Sequence, residues 1–268
     1  MERTEFLPCG VLTLTTDIGH KGPFVATMKG VMLTRFAAAR IVDLTHESDV
    51  HFPGEAGFWL AHAYRFFPPG TVHVGVVDPG VGTERRVIAL VHEGHAFLAP
   101  DNGLLGALAE RDGAVAFDVD LSDPAKLGLE TISDTFHGRD ILAPLAADLA
   151  AGARRPEELG PRAESVVPAW IEEPTDDGRS VRGVVVAADN FGNLITNIDR
   201  RMLERFREPI VEAAGRKLAL RRTYGNVTPG DYLALINSFD ALEIARAERS
   251  AAESLGIGRG APVTVRES

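Results

Sequence analysis

The stretch VHVGVVDPGVGTERR, residues 72–86, joins an apolar, β-branched run to a turn and two cations. Val72–Val77 reads as a buried strand that stops at Asp78, where Pro79-Gly80 forces the chain to turn. Gly80 and Gly82 let backbone approach a ligand closely, and Arg85 and Arg86 follow within reach of the carboxylate. A second run, VLTLTT at 11–16, stops the same way at Asp17, before a glycine-bearing loop. Ligands of open α/β sheets gather at the carboxyl ends of strands. Aspartates at such positions also cap helices and shape turns, so the position alone leaves both readings open.

Working outward, strand and helix signals alternate. Pro23–Phe36 carries Phe24, Met28, Val31 and Met32 at helical spacing, Ile41–Leu44 is a strand candidate, and Gly54–Phe67 is a second helix closed by Pro68-Pro69-Gly70. Val87–Val91 follows as a strand, and Leu104–Ala109 and Ile141–Leu149 read as helices. This alternation predicts an α/β domain with a central, mostly parallel sheet. Around 152–180 the composition shifts to prolines and charges without periodicity, which marks a boundary. Short segments then recur at 183–188, 194–197, 210–213, 218–221, 232–236, 242–245 and 263–265, the pattern of a small β-barrel or sandwich. The expected division is a domain over 1–160, a linker over 161–180 and a second domain over 181–268.

The chain has 268 residues and a net charge of -10, from 38 acidic and 28 basic side chains. That balance argues against a nucleic-acid surface, which needs a basic footprint, and disfavours an anionic membrane surface. The single cysteine, Cys9, excludes an internal disulfide. The opening MERTEFLPCGVLTLTTD has acidic residues and no apolar signal core, and no stretch approaches the ~20 apolar residues of a membrane span. A cytoplasmic location is expected.

Two further segments carry candidate chemistry. In DTFHGRDILAPLAA, 134–147, His137 stands before a glycine at the entrance to an apolar helix, with Arg139 and Asp140 as a local charge pair. In ADNFGNLITN, 188–197, Phe191 offers an aromatic face and Asn193 an amide that suits a nucleobase edge. Each also has a structural reading, as a packed histidine and as a turn. HExxH, GxSxG and zinc-spaced His/Cys pairs are all missing, and His92-Glu-Gly-His95 reads as a hairpin turn.

Taken together, TTDIG near 15, VVDPGVGT, APDNGLLG (99–106), TFHGRD, DNFGNLITN and INSFDALEIA (236–245) resemble, in order and over nearly the whole chain, the S-adenosylmethionine hydroxide adenosyltransferases. These are hydrolase relatives of the bacterial fluorinase and chlorinase. The resemblance implies an N-terminal α/β domain followed by a C-terminal β-barrel, and homotrimers holding the ligand between one subunit's N-domain and a neighbour's C-domain. It implies hydrolysis of S-adenosylmethionine to adenosine and methionine, with no cofactor and no metal. The family's Asp-Arg-His triad maps onto Asp78, Arg85 and His137, Arg85 being chosen over Arg86 by its offset from Asp78.

By the same resemblance Asp17 holds the ribose hydroxyls, Asp189 faces the methionine ammonium and Ser238 lies near the carboxylate. Phe191, Asn193 and backbone around Arg246–Glu248 meet adenine, and Phe136 and Tyr224 line the pocket. The halogenases carry tyrosines at the Asp78 and His137 positions, and the fluorinase a serine where this chain has Gly138, so the sequence resembles the hydrolase branch. Two departures stand out: Gly22 replaces an acidic residue of the halogenases, and His51 replaces an aromatic over the sugar. The alternatives are a halogenase forming 5′-chloro-adenosine and a non-catalytic nucleoside-binding protein.

Overall fold

Strand β1 (Val11–Thr16) is an interior strand of the first sheet, with every residue buried. Leu12 and Leu14 join an apolar layer on one face, while the alternate Thr13 is buried against His73 on the other, so both faces of the strand are covered. Helix α1 (Phe24–Arg35) buries Val25, Met28 and Met32, one helical stripe, against that sheet. Strand β2 (Arg40–Thr45), helix α2 (Pro53–Ala63) and strand β3 (Val72–Val76) follow. The helix expected to reach Phe67 ends at Ala63, and a tight turn of 3-10 helix carries Tyr64–Phe66.

Strands β4 (Val87–His92) and β5 (His95–Pro100) form an antiparallel hairpin about Glu93-Gly94, the turn the sequence suggested. Strand β5 itself was not foreseen, nor was β6 (Val115–Asp118), which comes after the short helix α3 (Gly106–Ala109). A π-helical turn, Gly138–Leu142, leads into α4 (Ala143–Ala151). The sheet order is β2-β1-β3-β5-β4-β6, with β2, β1, β3 and β5 parallel. The chain lays β2 on one side of β1 and β3 on the other, so the carboxyl ends of β1 and β3 flank a topological switch point. Thr16 sits opposite Val76 in that register, which makes Asp17 and Asp78 leave the sheet from the same edge.

One core layer joins Leu12, Leu14, Met28 and Met32 to Ile141, Leu145 and Leu149 of the π-turn and α4. The other joins Ala56 and Leu60 of α2 to Val77, Ile88, Phe97 and Leu104. The structure is a computed structural model that describes residues 5–268, so the first four residues of the opening segment read above lie outside the described residues. Among the described residues no helix is long and apolar enough to cross a membrane.

The chain divides into two units, one ending at Trp170 and the other beginning at Ile171. Residues of the compositional break belong partly to the first unit. Asp118 donates its amide to Pro161 at 2.8 Å, and Val167 donates to the Asp101 carboxylate at 2.9 Å.

The second unit contains β7 (Thr175–Asp176), β8 (Ser180–Ala188), β9 (Leu194–Asp199), β10 (Pro209–Ala213), β11 (Arg216–Arg221), β12 (Tyr232–Ile236), β13 (Ala241–Arg246) and β14 (Pro262–Glu267). Strand β14 pairs with both β10 and β8, which closes seven strands into a barrel and leaves β7 as a short flank. All seven strands expected from the sequence are present. Leu242 and Ile244 of β13 point into the barrel core, while Ala245 joins Leu233 and Leu235 in a small cluster on the outer face.

Candidate active site

Asp78 stands just past β3, and its carboxylate is clasped by Arg85. The guanidinium donates from Nε at 3.0 and 3.1 Å and from Nη2 at 2.5 Å. Both side chains are close to fully buried, at 10% and 7% exposure, so each is costly to leave without the other. The same Nη2 contacts His137 Nδ1 at 2.7 Å. A guanidinium nitrogen can only donate, so Nδ1 must accept, and the neutral ring carries its proton on Nε2. Burial, and then the Arg85 charge, push the His137 imidazole below its ordinary pKa against the opposing pull of Asp78, Asp140 and Asp134.

The turn that presents His137 is itself pinned. Asp140 accepts hydrogen bonds from the Ser133 amide at 2.9 Å and hydroxyl at 2.7 Å. Burial works against its ionisation, but bonds from Arg139 and Ser133 outweigh that and hold its carboxyl below the usual range. The Phe136 carbonyl receives both the Arg139 and Asp140 amides, each at 3.1 Å, and starts the π-turn. Gly82 completes the arrangement: its φ is +76°, and a Cβ there would lie 2.2 Å from the Asp134 carbonyl oxygen. Only glycine lets the loop between Asp78 and Arg85 pack against the segment that leads to His137.

Arg86 points elsewhere. It bonds Asp118 at 3.0 Å and the Ser165 carbonyl at 2.8 Å, and pairs with Asp101. Of the two adjacent arginines, the structure therefore brings only Arg85 to Asp78 and His137.

A cavity of about 440 Å³ opens over this set, lined by Asp17, Phe24, Asp78, Phe136, His137 and Gly138 among others. Asp17 accepts the His51 amide at 2.9 Å, so the residue that departs from the halogenase aromatic meets Asp17 through its backbone. Phe136 packs edge-on to Phe24, with ring centroids 5.6 Å apart, and carries the Arg139 guanidinium over its ring. Arg139 also pairs with Asp140 at 2.6 Å, the local charge pair expected. Sequence reasoning did not single out Ile18, Val81, Ser133 or Thr135 as lining; they are small or apolar neighbours whose only signal is adjacency to the motifs.

A second cavity, about 620 Å³, lies in the second unit and is lined by Asp189, Phe191, Asn193, Tyr224, Arg246 and Glu248. Arg249 and Ser250, next in the chain, line it too. Asp189 organises the loop, accepting the Phe191 and Asn193 amides and the Asn193 side chain, each at 2.9 Å. Phe191, at 76% exposure, presents an open ring face. Ser238 is outside this lining, in the exposed turn between β12 and β13. Among the described residues no group of three or more His, Cys, Asp or Glu side chains is arranged to hold a metal ion.

Comparison with known proteins agrees in both units. The N-terminal domain pattern of the S-adenosylmethionine hydroxide adenosyltransferases matches residues 12–160, and the C-terminal domain pattern matches residues 183–264. The chain belongs to that family. It is 37% identical to an (R)-S-adenosyl-L-methionine hydrolase of Thermus thermophilus, with 92% of this chain and 96% of that protein covered. A Salinispora tropica protein of the same name is 36% identical, covering 94% and 96%. The crystal structure of an uncharacterized conserved protein from Thermotoga maritima superposes with a TM-score of 0.85 at 32% identity, covering 96% of this chain and all of that one.

Proposed function

We propose that this enzyme hydrolyses S-adenosyl-L-methionine to adenosine and L-methionine, by in-line attack of water on the 5′ carbon. The observation that carries the reading is the bonded set Asp78–Arg85–His137, whose Asp78 and His137 line a cavity together with Asp17. A sulfonium substrate already contains a good leaving group, because methionine departs as a neutral thioether. The protein has only to hold a water in line with the C5′–S bond and exclude the rest.

The bonding supports a division of roles. Arg85 stays protonated and orients both partners while stabilising the developing hydroxide. The Nδ1 lone pair of His137 is taken by Arg85, which leaves its Nε2–H to donate to the attacking water. Asp78 is then the proton acceptor of the set. Asp17 binds the ribose diol, and Phe136 with Gly138 shapes the wall beside it. In the second unit Phe191 stacks on adenine, Asn193 and the Arg246–Glu248 backbone read its edge, and Asp189 attracts the methionine ammonium. Tyr224 lines that cavity, and Ser238 serves the carboxylate.

The reading against halogenation rests on Asp78, whose carboxylate repels a halide where a nucleophile must sit. No cofactor is needed for this reaction. Homotrimeric assembly and a cytoplasmic location belong to the same proposal, and the mass of the protein in solution tests the first. The test of function is chromatography of the nucleoside after long incubation with S-adenosylmethionine, with and without chloride. Adenosine in both supports the proposal; 5′-chloro-adenosine, or binding with no product, contradicts it.

A further inference from the structure

Glu243 is a carboxylate where the barrel has no evident use for one. Its neighbours Leu242 and Ile244 face the core, so Glu243 faces outward from β13, opposite Leu235 of β12 and Ile195 of β9. An outward strand residue would ordinarily be wet, yet Glu243 is only 2% exposed. What covers it is the turn at Tyr224–Asn226, whose Tyr224 hydroxyl donates to Glu243 Oε1 at 2.6 Å. Tyr224 also lines the cavity of the second unit.

The neighbouring β12–β13 turn is held by its own bonds. Asn237 uses its side-chain oxygen to accept the Phe239 amide at 3.0 Å and the Ala241 amide at 3.1 Å. Burial pushes the Glu243 carboxyl up, while the Tyr224 and Asn237 bonds pull it back. Burial, and then the bond to Glu243, push the Tyr224 phenol up as well, so this phenol keeps its proton and stays a donor. Burying a carboxylate is unfavourable unless its bonds compensate, and here the Tyr224 bond ties Glu243 to a segment that borders the cavity.

We propose that Glu243 is a positioning residue for substrate recognition: its buried carboxylate holds the Tyr224 ring as a fixed wall of the second cavity, without touching the ligand. The inference rests on the reading of that cavity as the nucleoside-binding part of the enzyme. Its ligand class is an adenine nucleoside.

The test compares the full-length wild type with Glu243→Ala, Glu243→Gln, Tyr224→Phe and the double variant Glu243→Ala/Tyr224→Phe. Loss of a hydrogen bond to a buried charged group predicts that Glu243→Ala raises KM about tenfold, with a much smaller change in kcat. Glu243→Gln keeps an acceptor oxygen and recovers most of the affinity. Tyr224→Phe raises KM alone but adds nothing to Glu243→Ala, since both remove one interaction. An unchanged KM in Glu243→Ala, or additive effects in the double variant, overturns the proposal. Should Glu243→Ala fail to fold, an unchanged KM in Tyr224→Phe overturns it instead. Adenosine binding measured by calorimetry keeps the test separate from the hydrolysis reading. If the wild type binds adenosine without turnover, the same tenfold weakening in Kd supports the proposal, and its absence contradicts it.

Discussion

Arg85 joins its two partners through one nitrogen: Nη2 donates to the Asp78 carboxylate and, at 2.7 Å, to Nδ1 of His137. One planar cation thus fixes both the position of a carboxylate and the tautomer of an imidazole. A lysine has the charge but not the fork. Arg85→Lys is therefore expected to lower kcat about a hundredfold, the scale of losing an oriented donor at a reacting centre. Arg86→Ala severs bonds to Asp101, Asp118 and the Ser165 carbonyl and is expected to lower Tm by a few degrees with kcat unchanged. Steady-state rates and thermal unfolding of both variants check the contrast.

His137 must be neutral for Nδ1 to accept from Arg85. Its pKa is depressed, by burial first and by Arg85 second, so the neutral form persists below the ordinary imidazole value of ~6.5. The expected kcat/KM is flat from neutral pH upward and falls in acid once His137 takes a proton and repels Arg85. The pH profile of kcat/KM checks this, and activity that rises on acidification would contradict it. His137→Ala should reduce adenosine release strongly and leave adenosine binding in place.

Gly82 lies within 2.2 Å, measured from a notional Cβ, of the Asp134 carbonyl and has a positive φ. Gly82→Ala strains the backbone and pushes the Asp78–Arg85 loop away from the segment carrying His137. The expected result is a fall in kcat of about tenfold with folding retained, because small displacements of positioned groups are expensive in rate. Kinetics beside circular dichroism measure it.

Away from the site, Thr13, His73 and His95 form a buried chain, with Thr13 Oγ1 to His73 Nδ1 at 2.7 Å and His73 Nε2 to His95 Nδ1 at 3.1 Å. Burial, and then the nearby His95, push His73 down to about 3, and burial also lowers His95 and His92. In the unfolded chain these rings protonate near ~6.5. Between that value and the depressed folded ones the unfolded state binds more protons, so stability falls as pH falls. Each such ring contributes a loss of at most about 1.4 kcal/mol per pH unit. Tm should drop measurably from pH 7 to pH 5, a window in which most carboxylates stay ionised. A flat Tm across it would contradict the prediction.

Much of the fold was legible because its signals are local. The runs 11–16 and 72–77 are β-branched and stop at aspartates, and the strands of the barrel are separated by turn residues. Strand β5 was not read because HAFLAP opens on a histidine and closes on a proline, and β6 is four half-buried residues. The helix entrance at His137 is a π-turn set by Asp140 and Ser133, a detail that apolar periodicity cannot reveal. Within the site, Asp17, Asp78 and His137 stood out as polar groups at element boundaries, but Arg85 and Arg86 are chemically identical neighbours. The family resemblance picks Arg85 only by its offset from Asp78; the physical difference lies in the fold, which turns Arg85 toward Asp78 and Arg86 toward Asp118. Glu243 was invisible for a related reason: on a barrel strand its alternation reads as solvent-facing, and the Tyr224 turn that buries it is a tertiary contact.

The most direct test of the central claim is hydrolysis of S-adenosylmethionine in ¹⁸O-water, with mass analysis of the nucleoside released. Attack of a water held by Asp78, Arg85 and His137 on the 5′ carbon predicts adenosine labelled at its 5′ oxygen. Unlabelled adenosine would contradict the account.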